Sequence, residues 1–212
     1  MILFDLDGTL VDTAPDLGHA LNLQRERHGL LALPMHTIRP FASHGSKGLL
    51  SVGFNLTPED SAFEAMRAEY LDLYDQVFTR APVLFDGITE LLAHLEQNAI
   101  PWGVVTNKPR RFSAPLLSAM NLHKRMACLV CGDDAALPKP APDTLLMACE
   151  QVSIEPENCF YVGDAERDIE AGNAAGMHTV VALYGYIDEA DQPMAWGADF
   201  SIAQPTDLLR LI

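Results

Sequence analysis

Polar residues follow three of the apolar runs in this sequence, at the point where each run ends. Asp5-Leu6-Asp7-Gly8-Thr9 follows the first run, Thr106-Asn107-Lys108 follows a later one, and Gly163-Asp164-Ala165-Glu166-Arg167-Asp168 follows another. Lys139 stands between two prolines in the interval between the last two segments. In an open parallel sheet, ligands bind beyond the carboxyl ends of the strands. We therefore expect the carboxylates, the threonine hydroxyl and the lysine to face one crevice.

These residue types suit the hydrolysis of a phosphate monoester, which is a dianion. Asp5 is the candidate nucleophile. Asp7 is placed to protonate the leaving oxygen and then to deprotonate the attacking water. Thr106 donates a hydrogen bond to a phosphoryl oxygen, and Lys139 neutralises charge on the phosphoryl group and on Asp5. The segments together predict a phosphomonoesterase that acts on a small-molecule phosphate ester.

A carboxylate that attacks a phosphate dianion needs a cation to cancel the repulsion between them. A divalent cation held by carboxylates does this, and a site made only of oxygen ligands suits Mg²⁺. Asp5 and Asp164 are the candidate metal ligands, and Asp168, one helical turn later, is a candidate to orient them. Each aspartate alone is also typical of a turn or a helix N-cap. The prediction of a metal site therefore depends on their combination.

Short apolar runs alternate with helical patterns over most of the chain. The strands are expected over Ile2 to Phe4, Trp102 to Val105, Cys128 to Cys131, Phe160 to Val162 and Thr179 to Leu183. Between them, apolar residues recur at helical spacing, as in Ile88, Leu91 and Leu95. This alternation predicts an α/β fold with a parallel sheet and helices on both faces.

The interval from about Pro15 to Pro82 departs from this alternation, because it shows helical spacing without a convincing strand. One helix is predicted over Asp16 to His28. Another is predicted over Pro58 to Phe78, with Thr57 as its N-cap. A helical block inserted after the first strand predicts a small second domain. We expect a catalytic core over residues 1–14 and 83–212 and an α-helical cap over residues 15–82.

Cations near the expected crevice are candidates to contact the substrate. Ser43-His44-Gly45-Ser46-Lys47 predicts a loop between cap helices, from which His44 and Lys47 reach the substrate. An exposed loop position explains His44 equally well. The cluster from Lys108 to Arg111 is placed to guide an anionic substrate, although a solvated helix start explains it almost as well.

The charge of the chain excludes some partners. Its 212 residues carry 29 Asp and Glu against 14 Lys and Arg, a formal net charge of −15 at pH 7. This balance argues against nucleic acid or an anionic membrane surface as the main partner, since both need a basic footprint. No run approaches the roughly 18 apolar residues of a membrane span. The N-terminus shows neither the basic region nor the cleavage site of a signal peptide. We expect a cytoplasmic protein.

Cys128 and Cys131 have the spacing of a redox or metal motif. No second pair of this kind and no nearby histidine cluster completes a zinc site. We therefore expect these two cysteines to be part of a buried strand.

Four segments resemble, in order, the motifs of the haloacid dehalogenase-like superfamily. They are Asp5-x-Asp7-Gly8-Thr9, Thr106-Asn107, Lys139 and Gly163-Asp164-x-x-x-Asp168. The resemblance spans nearly the whole chain, including a helical cap inserted after the first motif. It implies a Rossmann-like core and an aspartyl-phosphate on Asp5. It also implies Mg²⁺ bound by Asp5, Asp164 and the main-chain carbonyl of Asp7, with phosphate bound by Thr106, Asn107 and Lys139.

Within this superfamily, the chain looks most like the phosphoglycolate phosphatases. The runs Val104 to Pro109, Tyr184 to Ile187 and Trp196 to Asp199 are similar to the N-acetylmuramic acid 6-phosphate phosphatases of cell-wall recycling. A phosphomutase has the same core motifs and stays an alternative. A dehalogenase does not need Asp7, and a phosphonatase would need Lys47 as its Schiff-base lysine. A non-enzymatic binding module is a further alternative, although every position needed for turnover is filled.

Overall fold

A computed structural model describes residues 1–188 and 190–212. Within it the chain forms two compact units. The first comprises Met1–Val11 and Leu84–Ile212, and the second comprises Asp12–Val83. None of the described helices is both long enough and apolar enough to cross a membrane.

The structure describes eight strands: β1 (Ile2–Phe4), β2 (Val11–Asp12), β3 (Val83–Leu84), β4 (Trp102–Thr106), β5 (Leu129–Cys131), β6 (Phe160–Gly163), β7 (His178–Ala182) and β8 (Phe200–Ile202). Six of them form one sheet in the order β5-β4-β1-β6-β7-β8, and all its pairings are parallel. β2 and β3 form a separate two-stranded sheet. The predicted parallel α/β fold is confirmed, with β8 as a strand that the apolar runs did not predict.

The helices are α1 (Ala14–Arg27), α2 (Met35–Ile38), α3 (Gly45–Phe54), α4 (Phe63–Asp75), α5 (Ile88–Gln97), α6 (Arg110–Ala119), α7 (Asp143–Val152) and α8 (Glu166–Ala175). Short 3₁₀ helices cover Arg39–His44, Pro156–Asn158, Pro193–Ala195 and Pro205–Arg210. In the first unit, α7 packs on β4 and β5, and α8 packs on β6 and β7. Their apolar faces bury a core that includes Leu3, Val105, Val130, Leu145 and Tyr161.

β1 is only three residues long, but it lies in the middle of the sheet. Leu3 pairs with Gly103 on one side and with Tyr161 on the other. Its three side chains are almost completely buried. The ladder continues past the strand, because the Asp5 N–H donates to the Val162 carbonyl at 2.9 Å. Pairing on both sides therefore fixes where Asp5 leaves the sheet.

The second unit is helical, and α1 packs against α3 and α4. The predicted boundaries of α4 were wrong, since it begins at Phe63 and ends at Asp75 rather than spanning Pro58 to Phe78. Thr57 does not cap it. Both its N–H (2.8 Å) and its hydroxyl (3.1 Å) donate to the Asp60 carboxylate, which closes a turn before the helix.

The loop predicted from Ser43 to Lys47 is also wrong. His44 ends a 3₁₀ helix and Lys47 lies in the first turn of α3. Gly45, the first residue of α3, has a φ of 57°, which glycine adopts without strain, so the chain turns there and the two helices meet with no residue between them. Both His44 and Lys47 are exposed.

Candidate active site

Asp5 follows β1 and begins a tight turn that carries Asp7. The turn is closed by the Val11 N–H, which donates to the Leu6 carbonyl at 2.9 Å. Gly8 has a φ of 91°, and a Cβ atom on it would lie 2.1 Å from Asp164 Oδ2. A side chain at position 8 would therefore displace Asp164. Glycine here lets the acidic segment after β1 and the one that begins at Asp164 approach each other.

Lys139 lies at the centre of the site with its side chain fully buried. Its ammonium is 3.0 Å from Asp5 Oδ1 and 2.6 Å from Asp168 Oδ1. It also donates to the Tyr161 hydroxyl at 2.6 Å, and that hydroxyl donates to the Val105 carbonyl at 2.9 Å. The Lys139 ammonium thus lies between two buried carboxylates and is hydrogen-bonded to Tyr161, a residue of β6.

Asn107 holds the loop that carries Lys139. Its side-chain oxygen accepts from the Lys139 N–H at 2.9 Å, and its amide nitrogen donates to the Lys139 carbonyl at 2.8 Å. These two hydrogen bonds fix the backbone of Lys139. Thr106 ends β4 and is buried, and its hydroxyl oxygen accepts from the Lys108 N–H at 3.1 Å. The proton of that hydroxyl is left to be donated.

Three carboxylates, those of Asp5, Asp164 and Asp168, offer oxygens within 4.8 Å of one another, and all three are buried. Burial, together with the charges of Asp5 and Asp168, raises the pKa of Asp164 to about 7. Burial also raises the pKa of Asp5, although the Lys139 ammonium opposes that rise. So much negative charge in one buried cluster favours a bound cation.

The three carboxylates differ in how their oxygens are used. Asp168 accepts from Lys139 through Oδ1 and from the Ala165 N–H through Oδ2, at 2.6 and 3.0 Å. Burial alone would raise the pKa of Asp168, but the Lys139 charge lowers it below its ordinary value. Asp5 Oδ1, in contrast, accepts no hydrogen bond from any described residue, although the Lys139 charge is close.

Asp164 is held from two sides. The Thr9 hydroxyl donates to Oδ1 at 3.0 Å, and the Tyr186 N–H donates to Oδ2 at 2.8 Å. Gly185 makes this approach possible, because a Cβ atom there would lie 2.3 Å from the Asp164 Cβ. The Tyr184 hydroxyl donates to the Thr9 carbonyl at 3.1 Å. The segment from Tyr184 to Tyr186 therefore orients one candidate metal ligand.

Comparison with known proteins decides the family. Residues 2–182 match the model of the haloacid dehalogenase-like hydrolase family. The chain belongs to this family. It is 40% identical over 211 residues to an N-acetylmuramic acid 6-phosphate phosphatase of Pseudomonas putida, covering 100% of this chain and 95% of the relative. It is 41% identical over 207 residues to a phosphoglycolate phosphatase of Xanthomonas campestris, covering 98% and 93%.

A solved structure has the same fold. It is described as a predicted phosphoglycolate phosphatase from Haemophilus somnus, and it superposes with a TM-score of 0.86 at 24% identity. The superposition covers 100% of this chain and 96% of that one. The predictions of a haloacid dehalogenase-like protein, of its Rossmann-like fold and of a phosphoric monoester hydrolase are confirmed.

Most of the residues predicted from the family motifs lie together in the first unit. They are Asp5, Asp7, Thr106, Asn107, Lys139, Asp164 and Asp168. His44 and Lys47 belong to the second unit, which is described separately. Their contact with substrate stays a prediction.

Sequence reasoning missed the partners of the motif residues. Tyr161 was counted only as part of a strand, and Arg167 was passed over inside its motif. Burial would lower the pKa of the half-buried Arg167 guanidinium, but the charges of Asp168, Asp5 and Asp164 raise it. Lys108 was placed in a cluster of surface cations, yet its ammonium lies 2.9 Å from Asp7 Oδ1 and 3.2 Å from Oδ2. The sequence feature that could have indicated a role for Lys108 in the site is its position two residues after Thr106.

Cys128 and Cys131 lie in and beside β5, as the buried-strand prediction required. Both are buried free thiols. Burial raises the pKa of each to about 11, so the unreactive thiol form dominates at neutral pH. Among the described residues, the one acidic, histidine or cysteine cluster able to hold a metal is the aspartate triad.

Proposed function

We propose that this chain is a Mg²⁺-dependent phosphomonoesterase that hydrolyses a small phosphorylated metabolite through an aspartyl-phosphate on Asp5. The surroundings of Asp5 carry the proposal. Its buried carboxylate has one oxygen that accepts no hydrogen bond from the described residues, 3.0 Å from the Lys139 ammonium. A second buried carboxylate, Asp164, lies within 4.8 Å. A carboxylate in this setting is shielded from water and available to attack an electrophile.

In the first step, an oxygen of Asp5 forms a bond to phosphorus while the bond from phosphorus to the ester oxygen breaks. Asp7 gives its proton to the departing oxygen. The Lys139 ammonium and the Thr106 hydroxyl stabilise the charge on the phosphoryl oxygens as the geometry changes. The products of this step are an alcohol and phospho-Asp5.

In the second step, Asp7 takes a proton from a water molecule, and the water oxygen attacks phosphorus. The bond between phosphorus and Asp5 then breaks, which releases inorganic phosphate and restores the carboxylate. Asp7 ends the cycle protonated, ready for the next leaving group. Asp7 is therefore the acid in the first step and the base in the second, while Asp5 is first the nucleophile and then the group displaced from phosphorus.

The residues of the triad fit a magnesium site. Asp5 and Asp164 would hold the ion, with the main-chain carbonyl of Asp7 as a further oxygen ligand. Asp168 is occupied by Lys139 and Ala165, which suits a role in orienting the site. When bound, Mg²⁺ neutralises negative charge on the phosphoryl group and on the attacking carboxylate.

The helical unit, Asp12–Val83, is proposed to act as a cap that closes over the substrate and excludes bulk water. Its contacts would read the part of the substrate beyond the phosphoryl group, and Lys47 and His44 are the residues proposed for this role. The same site geometry would serve many phosphate esters, so the cap is where specificity is expected.

The named relatives give the two substrates to test first. We favour a phosphoglycolate phosphatase-like activity, as in the Xanthomonas relative. N-acetylmuramic acid 6-phosphate is the second candidate, because the Pseudomonas relative matches the whole chain at 40% identity. The likeness around Tyr184 to Tyr186 does not separate them, since this segment holds Asp164 in place.

The test is a comparison of phosphate esters at matched concentrations of free Mg²⁺ and of EDTA. We expect a kcat/KM of about 10⁴ M⁻¹s⁻¹ or more for the physiological ester, and no turnover in EDTA until Mg²⁺ is restored. Asp5→Asn is the inactive variant, and Glu170→Gln, an exposed position on α8, is the matched control. Undiminished activity in EDTA, or in Asp5→Asn, would overturn the proposal.

A further inference from the structure

We propose that Lys108 is a positioning residue for Asp7, the group that moves protons in both steps. The inference rests on the proposed function and deepens it. Lys108 Nζ lies 2.9 Å from Asp7 Oδ1 and 3.2 Å from Oδ2, so both oxygens of one carboxylate contact the same ammonium. The Lys108 side chain is 6% exposed, compared with 17% for that of Asp7.

A lysine so deeply buried needs a charged partner, because an unpaired buried ammonium carries a large desolvation penalty. Asp7 supplies that partner across 101 residues of sequence. The pair therefore brings the turn after β1 and the segment after β4 together. Asp7 is partly open to solvent, and the contact restricts the rotamers that its carboxylate would otherwise sample.

The main chain of Lys108 is itself fixed at both ends. Its N–H donates to the Thr106 hydroxyl oxygen at 3.1 Å, and its carbonyl accepts from the Ser113 hydroxyl at 3.2 Å. Thr106 belongs to β4 and Ser113 to α6, and both are buried. Lys108 is thus anchored by a strand and a helix. A residue that positions another side chain needs such rigid support.

The two neighbouring cations do not share this role. Arg110 forms an ion pair with Asp134. Arg111 is exposed, and its guanidinium lies 4.5 Å from the centroid of the Phe112 ring. A general attraction of anions would use all three charges, whereas the geometry selects Lys108 alone.

Proton transfer requires the acid to lie within hydrogen-bond reach of the leaving oxygen, and a displacement of about 1 Å costs roughly 100-fold in rate. Loss of Lys108 leaves Asp7 present but poorly placed. Lys108→Met should therefore lower kcat for an alkyl phosphate by roughly 10- to 100-fold, with little change in KM. Release of p-nitrophenolate from p-nitrophenyl phosphate should slow much less in the first turnover, since that leaving group needs little help from an acid.

A double-mutant cycle separates action through Asp7 from every other role. First-turnover release of p-nitrophenolate and steady-state hydrolysis of an alkyl phosphate are measured for the wild type, Lys108→Met, Asp7→Asn and the double variant. If Lys108 acts through Asp7, adding Lys108→Met to Asp7→Asn changes either rate by less than about 2-fold. If the second substitution costs as much in that background as in the wild type, the proposal is wrong.

Controls cover folding and charge. Lys108→Arg keeps the cation and should retain more of the alkyl phosphate activity than Lys108→Met, which still tests the proposal if the methionine variant unfolds. Lys124→Met makes the same substitution at an exposed lysine between α6 and β5 and should leave both rates within about 2-fold of wild type. A rise in KM with unchanged kcat in Lys108→Met would assign the lysine to the substrate and overturn the inference. Failure of the proposed function would appear separately, as an Asp5→Asn variant that keeps wild-type activity.

Discussion

In the metal-free protein, the contribution of Asp164 to stability should fall as the pH rises from about 4 to about 7. The pKa of this buried carboxyl is raised from 3.8 to about 7 in the folded chain. Between these two values the folded state holds a proton that the unfolded state has lost, so stability decreases with increasing pH. A gap of about 3 pH units at about 1.36 kcal/mol each gives an upper estimate of about 4 kcal/mol.

The perturbation is Asp164→Asn, studied in EDTA by urea unfolding from pH 4 to pH 8. Both tryptophans, Trp102 and Trp196, belong to the first unit, so their fluorescence reports its unfolding. From pH 4 to pH 8, the wild type should lose several kcal/mol more than the asparagine variant. Glu170→Gln should follow the wild type. Millimolar Mg²⁺ should reduce the loss in the wild type, since the ion binds the ionised carboxylates.

Identical pH dependence of Asp164→Asn and the wild type in EDTA would refute this reasoning. It would mean that the carboxyl is ionised in the metal-free fold, with its charge compensated by neighbouring cations. A wild type that gains stability relative to Asp164→Asn as the pH rises would be equally damaging, because it would reverse the sign that burial imposes on an acid.

Two further outcomes follow from the structure. Tyr161→Phe removes a hydroxyl that binds Lys139 and the Val105 carbonyl, so the free energy of unfolding should fall by about 2–3 kcal/mol, and kcat should fall with it. A variant whose free energy of unfolding lies within roughly 0.5 kcal/mol of the wild type would show that this hydrogen-bond network is not needed. Lys47→Ala should reduce kcat/KM for the physiological ester by roughly 10- to 100-fold and spare p-nitrophenyl phosphate; equal losses on both substrates would remove Lys47 from recognition of the substrate.

Much of the fold was predictable because buried strands leave a plain signal. The apolar runs gave five of the six strands of the main sheet within one or two residues. Parallel pairing then placed Asp5, Thr106 and Asp164 at one edge of the sheet. β8 was missed because the side chains of Phe200 and Ser201 are exposed, so its sequence lacks an apolar run. An edge strand needs hydrogen bonds from its neighbour more than it needs burial.

The helical unit was less predictable, since its boundaries depend on local competition for hydrogen bonds. Asp60 captures Thr57 and closes a turn where the spacing of residues had predicted a helix. At Gly45 the chain turns directly from one helix into the next, where the small residues had predicted a loop. Neither outcome can be predicted from the periodicity of apolar residues. The first depends on a hydrogen bond between the side chain of Asp60 and Thr57, and the second on the backbone conformation of Gly45.

Side-chain partners were the least predictable part of the site. The sequence indicated Asp7 and Lys139 by their motifs, but the contact between Lys108 and Asp7 joins positions 101 residues apart. Tyr161 gave only the signal of a strand residue, although its hydroxyl lies 2.6 Å from the ammonium of Lys139. Motif spacing predicts which residues react, while the residues that hold them come from the three-dimensional pairing of strands.

The proposed function depends on transfer of the phosphoryl group to Asp5. The most direct test is rapid quenching of Asp7→Asn after mixing with p-nitrophenyl phosphate and Mg²⁺, followed by mass spectrometry of the peptide from the N-terminus. We expect one phosphoryl group per chain on Asp5, formed as fast as p-nitrophenolate is released and absent in Asp5→Asn. A phosphoryl group on another residue, or a burst of p-nitrophenolate without phosphate on the protein, would contradict it.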